Sequence, residues 1–237
     1  MGHPLKNAVE PLLRALDDTP IHVRQLAEMF RKHGDKTKRN GVDIKDLDDT
    51  DVVPDALQKG WRKDGPTPNQ IVDAGNGNRP HPSAYLDEDY IEAHKARFAD
   101  GASRIYLTGN LDKYGPGNGN MTFVFPTSEL QSILDETGGN ARELAVRLGM
   151  KPDYYIGADG LPKDVEIRHF APHELAGLRL PDGNEGGANP QWIPGGYLPT
   201  GDPEAVIDIP ETATGIGDGT RGDVSWPGRQ EDLKLWI

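Results

Sequence analysis

Apolar residues recur along this chain in two different periods, and the change of period divides it. Near the start, Leu5, Val9, Leu12, Leu13 and Leu16 fall on one face of a helix. Thr19-Pro20 reads as an N-cap with proline at the first helical position, and Val23, Leu26, Ala27 and Phe30 continue as a second stripe ending near Gly34. Residues 34–51 are strongly charged and read as a solvated connector. Gly60 to Pro82 is rich in Gly, Pro and Asn, which marks it as loop. Asp87 caps a third helix predicted from about Glu88 to Ala99, with Tyr90, Ile91, His94 and Phe98 on one side and a stop at Asp100-Gly101.

Beyond Gly101 the period shortens. Residues 103–107 (SRIYL) alternate and are rich in strand formers, and 121–125 (MTFVF) form a second strand closed by Pro126. Thr127 or Ser128 opens a helix to about Glu136, and Asn140 caps another through Leu148, ended by Gly149. Val165 to Phe170 is a third strand and Glu204 to Ile209 a fourth. Strands mixed with short helices predict an α+β fold: a helical region over residues 1–99, then a mixed, mainly antiparallel sheet domain with short helices and long Gly/Pro-rich loops over 100–237. The tail from Glu211 to Arg229 is Gly/Thr/Asp-rich, and Leu233, Leu235, Trp236 and Ile237 are placed to dock back on the body or on a partner.

Composition narrows the chemistry. Gly and Pro number 29 and 20 of 237 residues, so a helical bundle is excluded and much irregular backbone is expected. The net charge is −12. Residues 101–237 hold −9 of it, a poor match to a polyanion, because nucleic-acid affinity rests on Lys and Arg at phosphates. A small-molecule substrate suits that half better. With no cysteine, disulfides, thiolate catalysis and Cys-based zinc sites are excluded. No 18-residue apolar run and no signal-peptide core are found, so no membrane segment is expected, and export would use a dedicated machine or passage on a larger polypeptide.

The stretch from Gly183 to Asp208 concentrates the functional signal. Six glycines and four prolines surround Trp192, Glu204 and the amides Asn184, Asn189 and Gln191. A linker lacks the large aromatic and a core element lacks the glycines, so a loop that handles a flat polar ligand is expected. An irregular loop pinned by one buried tryptophan is the plainer alternative. Asn184, Glu185, Asn189 and Gln191 suit ribose or amide contacts, or equally turn caps. Upstream, Tyr114 stands beside the Gly-rich turn 115–119, which suits an anion and a stacked ring, or simply a hairpin.

Leu111-Asp112-Lys113-Tyr114-Gly115, the Gly-containing turn, a strand ending in Phe125-Pro126, and Trp192 followed by Pro194-Gly195-Gly196 resemble the NAD glycohydrolase family of the tuberculosis necrotizing toxin. The similarity is patchy and spans about Leu111 to Glu204. Lys113 stands where the family has Arg, Phe125 where it has Ser, and no Gln follows Pro194-Gly195-Gly196; Gln191 and Glu204 are the nearest candidates for that role. The wider set of polymorphic-toxin ADP-ribosyltransferases places an Arg on an early strand, an aromatic mid-chain and a Glu late, an order met by Arg104, Tyr106 or Tyr114, Phe123 and Glu204.

The resemblance implies an NAD-consuming bacterial effector that has NAD as substrate and no other cofactor. Such an effector would act in a target cell's cytoplasm and could have a cognate immunity protein as partner. Glu204 or Gln191 would be catalytic, and Arg104, Tyr106, Tyr114, Phe123, Asn189 and Trp192 would bind substrate. A carboxylate suits the oxocarbenium character that builds when the nicotinamide–ribose bond breaks, and Arg suits the pyrophosphate. Two rival functions stay open. One is a ribonuclease-type toxin using His169 and His173 with Arg168. The other is a non-enzymatic phage- or secretion-associated interaction protein. Pro172 separates the two histidines, so they are not expected to share a helix face or hold a metal.

Overall fold

The computed structural model describes residues 57–117, 120–188 and 191–209, together with Val53 and three short strand segments. The stripes at 5–16 and 23–30 lie outside the described residues, as does most of the charged connector. Within that connector, β1 (Lys38–Arg39) and β2 (Val42–Asp43) form a small antiparallel pair.

The main element is a five-stranded, fully antiparallel sheet in the order β6-β4-β3-β5-β7. Its strands are β3 (Ala102–Leu107), β4 (Met121–Pro126), β5 (Val165–Phe170), β6 (Ala205–Asp208) and β7 (Arg229–Leu233). The fold is therefore α+β, and four of these strands coincide within a residue with the alternating runs. The fifth does not: β7 is cut from the polar tail and pairs along β5 from Val165↔Leu233 to His169↔Arg229. Backbone pairing on an open edge recruits it, not its own side-chain pattern.

Five α-helices lie among the described residues. α1 (Pro68–Asp73) sits inside the stretch expected to be loop, where Thr67 and Gln70 close a capping box and Pro68 takes a first-turn position. α2 (Glu88–Ala96) begins at Asp87 as expected but ends three residues early, before Gly101. Gly101 has φ 101°, and a Cβ there would lie 2.5 Å from the Phe170 carbonyl oxygen, so the chain turns into β3 only with glycine. α3 (Thr108–Tyr114), for which the sequence offered no assignment, ends at Gly115, where the Gly-rich turn begins. α4 (Leu130–Thr137) and α5 (Ala141–Arg147) follow, the latter capped by the Asn140 side chain on the Arg142 and Glu143 amides, a cap worth about 1 kcal/mol.

The alternation along the strands fills two faces. Ile105, Leu107, Val165 and Ile167 pack with Ile133, Leu144, Leu148 and Tyr155 from the α4–α5 side. Ala102, Val124, Phe170, Ala205 and Ile207 pack with Phe98 on the other face. Residues 57–99 are joined closely to the loop that follows residue 180: Ile71, Tyr85 and Leu86 enclose Leu180 and Trp192, while Val53 and Leu57 meet Ile193 and Tyr197.

Candidate functional site

Strands β3 and β4 are neighbours in the sheet but pair only at Ala102↔Pro126 and Ser103↔Phe125. Their outer partners stay zipped, with six register pairs between β3 and β5 and four between β4 and β6. Beyond Ser103 the two central strands therefore part, and side chains occupy the opening where ladder hydrogen bonds would run. Arg104 Nη1 bridges it, donating to Thr122 Oγ1 (2.5 Å) and to the Phe123 carbonyl (3.3 Å). Its Nη2 and Nε make no hydrogen bond to the described residues, which leaves three donors of the guanidinium fork for a ligand. Tyr106 Oη donates to the Pro116 carbonyl (2.9 Å) and lies 3.0 Å from Thr122 Oγ1. The Arg104 guanidinium stacks 4.8 Å from the Tyr106 ring centre. Ile105 O, on the edge that faces β4, accepts from Tyr155 Oη at 3.4 Å.

Two cavities flank Arg104. The first, of about 60 Å³, is lined by Arg104, Phe123, Gln191, Trp192 and Glu204, with Gly187, Ala188, Leu198, Pro199, Met150 and Tyr155 completing its wall. The second, of about 510 Å³, is lined by Arg104, Tyr106, Tyr114, Asn110, Leu111, Asn120 and Tyr154 among others. Seven of the eight residues expected from the sequence to form the site line one cavity or the other. Asn189, the eighth, lies outside the described residues.

Glu204 is held from behind. Its amide donates to the Gly196 carbonyl (2.7 Å), and its own carbonyl is 3.0 Å from His94 Nε2 on α2. Burial pushes His94 down to about 4, so the ring is neutral at physiological pH and Nε2–H donates to that carbonyl. Gly196 is required for this approach: its φ is 81°, and a Cβ would come within 2.9 Å of His94 Nε2. The carboxyl has no hydrogen bond or ion pair among the described residues. Burial first, and Glu185 second, raise it to about 8 against the pull of Arg104, so it is largely protonated at pH 7.

Trp192 is both a packed residue and part of the cavity wall. It is 6% exposed, packed among Ile71, Tyr85, Leu86 and Leu180, and it also faces the first cavity. Arg79 covers its ring at 4.5 Å, and a Cβ on Gly183 (φ 80°) would reach the indole at 2.7 Å. Phe123 packs against Gly187 across the cavity. Tyr106 is buried, which raises its hydroxyl pKa, whereas Tyr114 stands 55% exposed at the mouth of the second cavity.

The loop amides divide. Gln191 lines the cavity, but Asn184 is bonded to the 77–79 backbone, accepting from the Gly77 amide (2.7 Å) and donating to the Arg79 carbonyl (2.9 Å). Glu185 accepts the Asp182 and Gly183 amides at 2.8 Å. Both act as turn caps. Arg147, unremarked in the sequence, clasps Asp202 through Nε and Nη2, with both side chains under 5% exposed, and so ties α5 to the turn before Glu204. Arg-to-Asp pairs 55 residues apart carry no local signature that would expose them. His169 Nδ1 bonds Ser103 Oγ at 2.9 Å, His173 is exposed on the turn Pro172–Glu174, and Arg168 pairs with Glu166 at 2.6 Å; none of the three lines either cavity.

Comparison with protein-family models, curated proteins and solved structures finds no match to this chain. Among the described residues, no cluster of three or more His, Cys, Asp or Glu side chains is placed to hold a metal ion, and no helix is long and apolar enough to cross a membrane.

Proposed function

We propose that this chain is an NAD⁺-consuming enzyme, acting by glycohydrolysis or ADP-ribosyl transfer. One observation carries the reading. The parting of β3 from β4 gathers Arg104, Phe123, Gln191, Trp192 and Glu204 around a single cavity, although a hundred residues separate the first from the last. Glu204 is the one carboxylate among the described residues that line it.

In this scheme the nicotinamide ring lies toward Phe123 and Trp192, and Arg104 grips the diphosphate through its unused donors. The bond between ribose C1′ and the nicotinamide nitrogen breaks, the ring leaving neutral with the bonding pair. Positive charge develops at C1′ and the ring oxygen, and ionised Glu204 stabilises it in a site of low polarity. Water, or an acceptor nucleophile, then adds to C1′ and releases a proton. The cationic nicotinamide favours ionisation of Glu204, so substrate itself helps to prepare the carboxylate. At about 60 Å³ the cavity has room for a few waters. An effector toxin delivered to a target cell and restrained by an immunity protein is the setting that the resemblance suggests for this chemistry.

The test is to incubate purified protein with NAD⁺ and follow nicotinamide by chromatography, with total RNA in a parallel reaction. Nicotinamide release that falls roughly 10²-fold in Glu204→Gln supports the reading. Intact NAD⁺ overturns it, and fragmented RNA would direct attention to His169 and His173.

A further inference from the structure

The larger cavity is a second space that Arg104 lines and Glu204 does not, and the scheme above makes no use of it. Arg104, Ile105 and Met150 line both spaces, so a ligand occupying the two would lie beside these three residues. Its floor is apolar, formed by Ile105, Leu107 and Leu111, which are all buried. Its mouth differs: Asn110 and Asn120 are exposed there, and Tyr114, 55% exposed, has Lys113 Nζ 4.8 Å from its ring centre. Tyr154 forms part of the wall, steadied edge-on by Tyr155 at 5.0 Å. A volume of about 510 Å³ is within the range of pockets for small organic ligands. Aromatic rings beside amides at an open mouth suit a flat heterocycle that stacks and hydrogen-bonds along its edge.

We propose that this cavity seats the nucleobase and ribose at the far end of a dinucleotide, with Arg104 holding the diphosphate between the two spaces. The naming of the ligand as NAD⁺, and so of the base as adenine, rests on the function proposed above. The cavity and its shared arginine do not. Three features are matched: a nucleoside-sized compartment next to the smaller one, one cationic group that lines both, and aromatic rings in the lining of each.

The experiment separates the halves. Nicotinamide mononucleotide carries the scissile bond but no second nucleoside, whereas 5′-AMP carries the second nucleoside but no scissile bond. Tyr114 is exposed, so Tyr114→Ala leaves the fold intact; Asn110→Ala is the second variant. Loss of one stacking surface is expected to weaken 5′-AMP binding, measured by calorimetry, about tenfold to a hundredfold in Tyr114→Ala. The preference for NAD⁺ over nicotinamide mononucleotide, as a ratio of kcat/KM, is expected to fall by a similar factor, with Asn110→Ala falling several-fold. If 5′-AMP binds in this manner but NAD⁺ is not cleaved, the nucleotide seat stands and the NAD⁺-consuming reading fails. If 5′-AMP does not bind the wild-type protein, or both variants leave its affinity and the substrate preference unchanged, the proposal is overturned.

Discussion

Replacing Glu204 by Gln preserves the shape of the side chain and removes its titration, and stability against pH then reports directly on the burial of the carboxyl. In the folded chain this group ionises near 8, against an ordinary 4.5, because burial and Glu185 disfavour the charge more than Arg104 favours it. The folded state therefore holds the proton more tightly than the unfolded chain. The stability this contributes is complete below about pH 4.5 and is lost as pH rises through about 8. The gap between 8 and 4.5, at about 1.4 kcal/mol per pH unit, sets a ceiling of about 5 kcal/mol. Glu204 retains some surface toward the cavity, and water there reduces the loss to an expected 2–3 kcal/mol, on the order of half the ceiling. Urea unfolding of wild type and Glu204→Gln at pH 5, 7 and 9 measures it: the variant should gain on the wild type progressively, most of the gain falling between pH 5 and 9. A stability difference constant to within about 0.5 kcal/mol across that range would refute the burial of this carboxyl. The same ionisation should govern turnover, with kcat/KM for NAD⁺ rising toward pH 8 in the wild type, and lying roughly 10²-fold lower and flat in the variant.

Three further outcomes are expected. Trp192→Ala removes a side chain packed among Ile71, Tyr85, Leu86 and Leu180 and should cost about 3–5 kcal/mol in thermal unfolding, while Trp192→Phe should fold and show a raised KM for NAD⁺. Asp202→Asn breaks the buried clasp with Arg147 and should cost about 3–5 kcal/mol, measured by denaturant titration; a loss under about 1 kcal/mol would mean that the clasp does not secure the Glu204 turn. Gly196→Ala meets both a positive φ and the His94 ring, and should destabilise by a few kcal/mol, on the order of 1–3 from the backbone alone.

Local physics wrote much of this fold into the sequence. β3, β4, β5 and β6 announce themselves because alternation on a half-buried sheet has period two, and α5 because Asn140 bonds the amides that its own helix leaves open. α1 was equally legible in Thr67-Pro68-Asn69-Gln70, a capping signature hidden by the glycines around it. Glycines beside Trp192, and the order of an early Arg and a late Glu that the resemblance supplied, picked out seven of the residues that line the two cavities. Their meeting was not legible. It depends on β3 and β4 pairing at one end and parting at the other, and strand register is settled by long-range packing that no short window contains. The same holds for β7, a polar segment held by an open sheet edge, and for Arg147 and Asp202, whose charges are tolerable in the interior only because the fold brings them together. Residue types and local periods came from the chain; the cleft that turns Arg104 and Glu204 into neighbours came from the tertiary structure, because only there do distant strands share one surface.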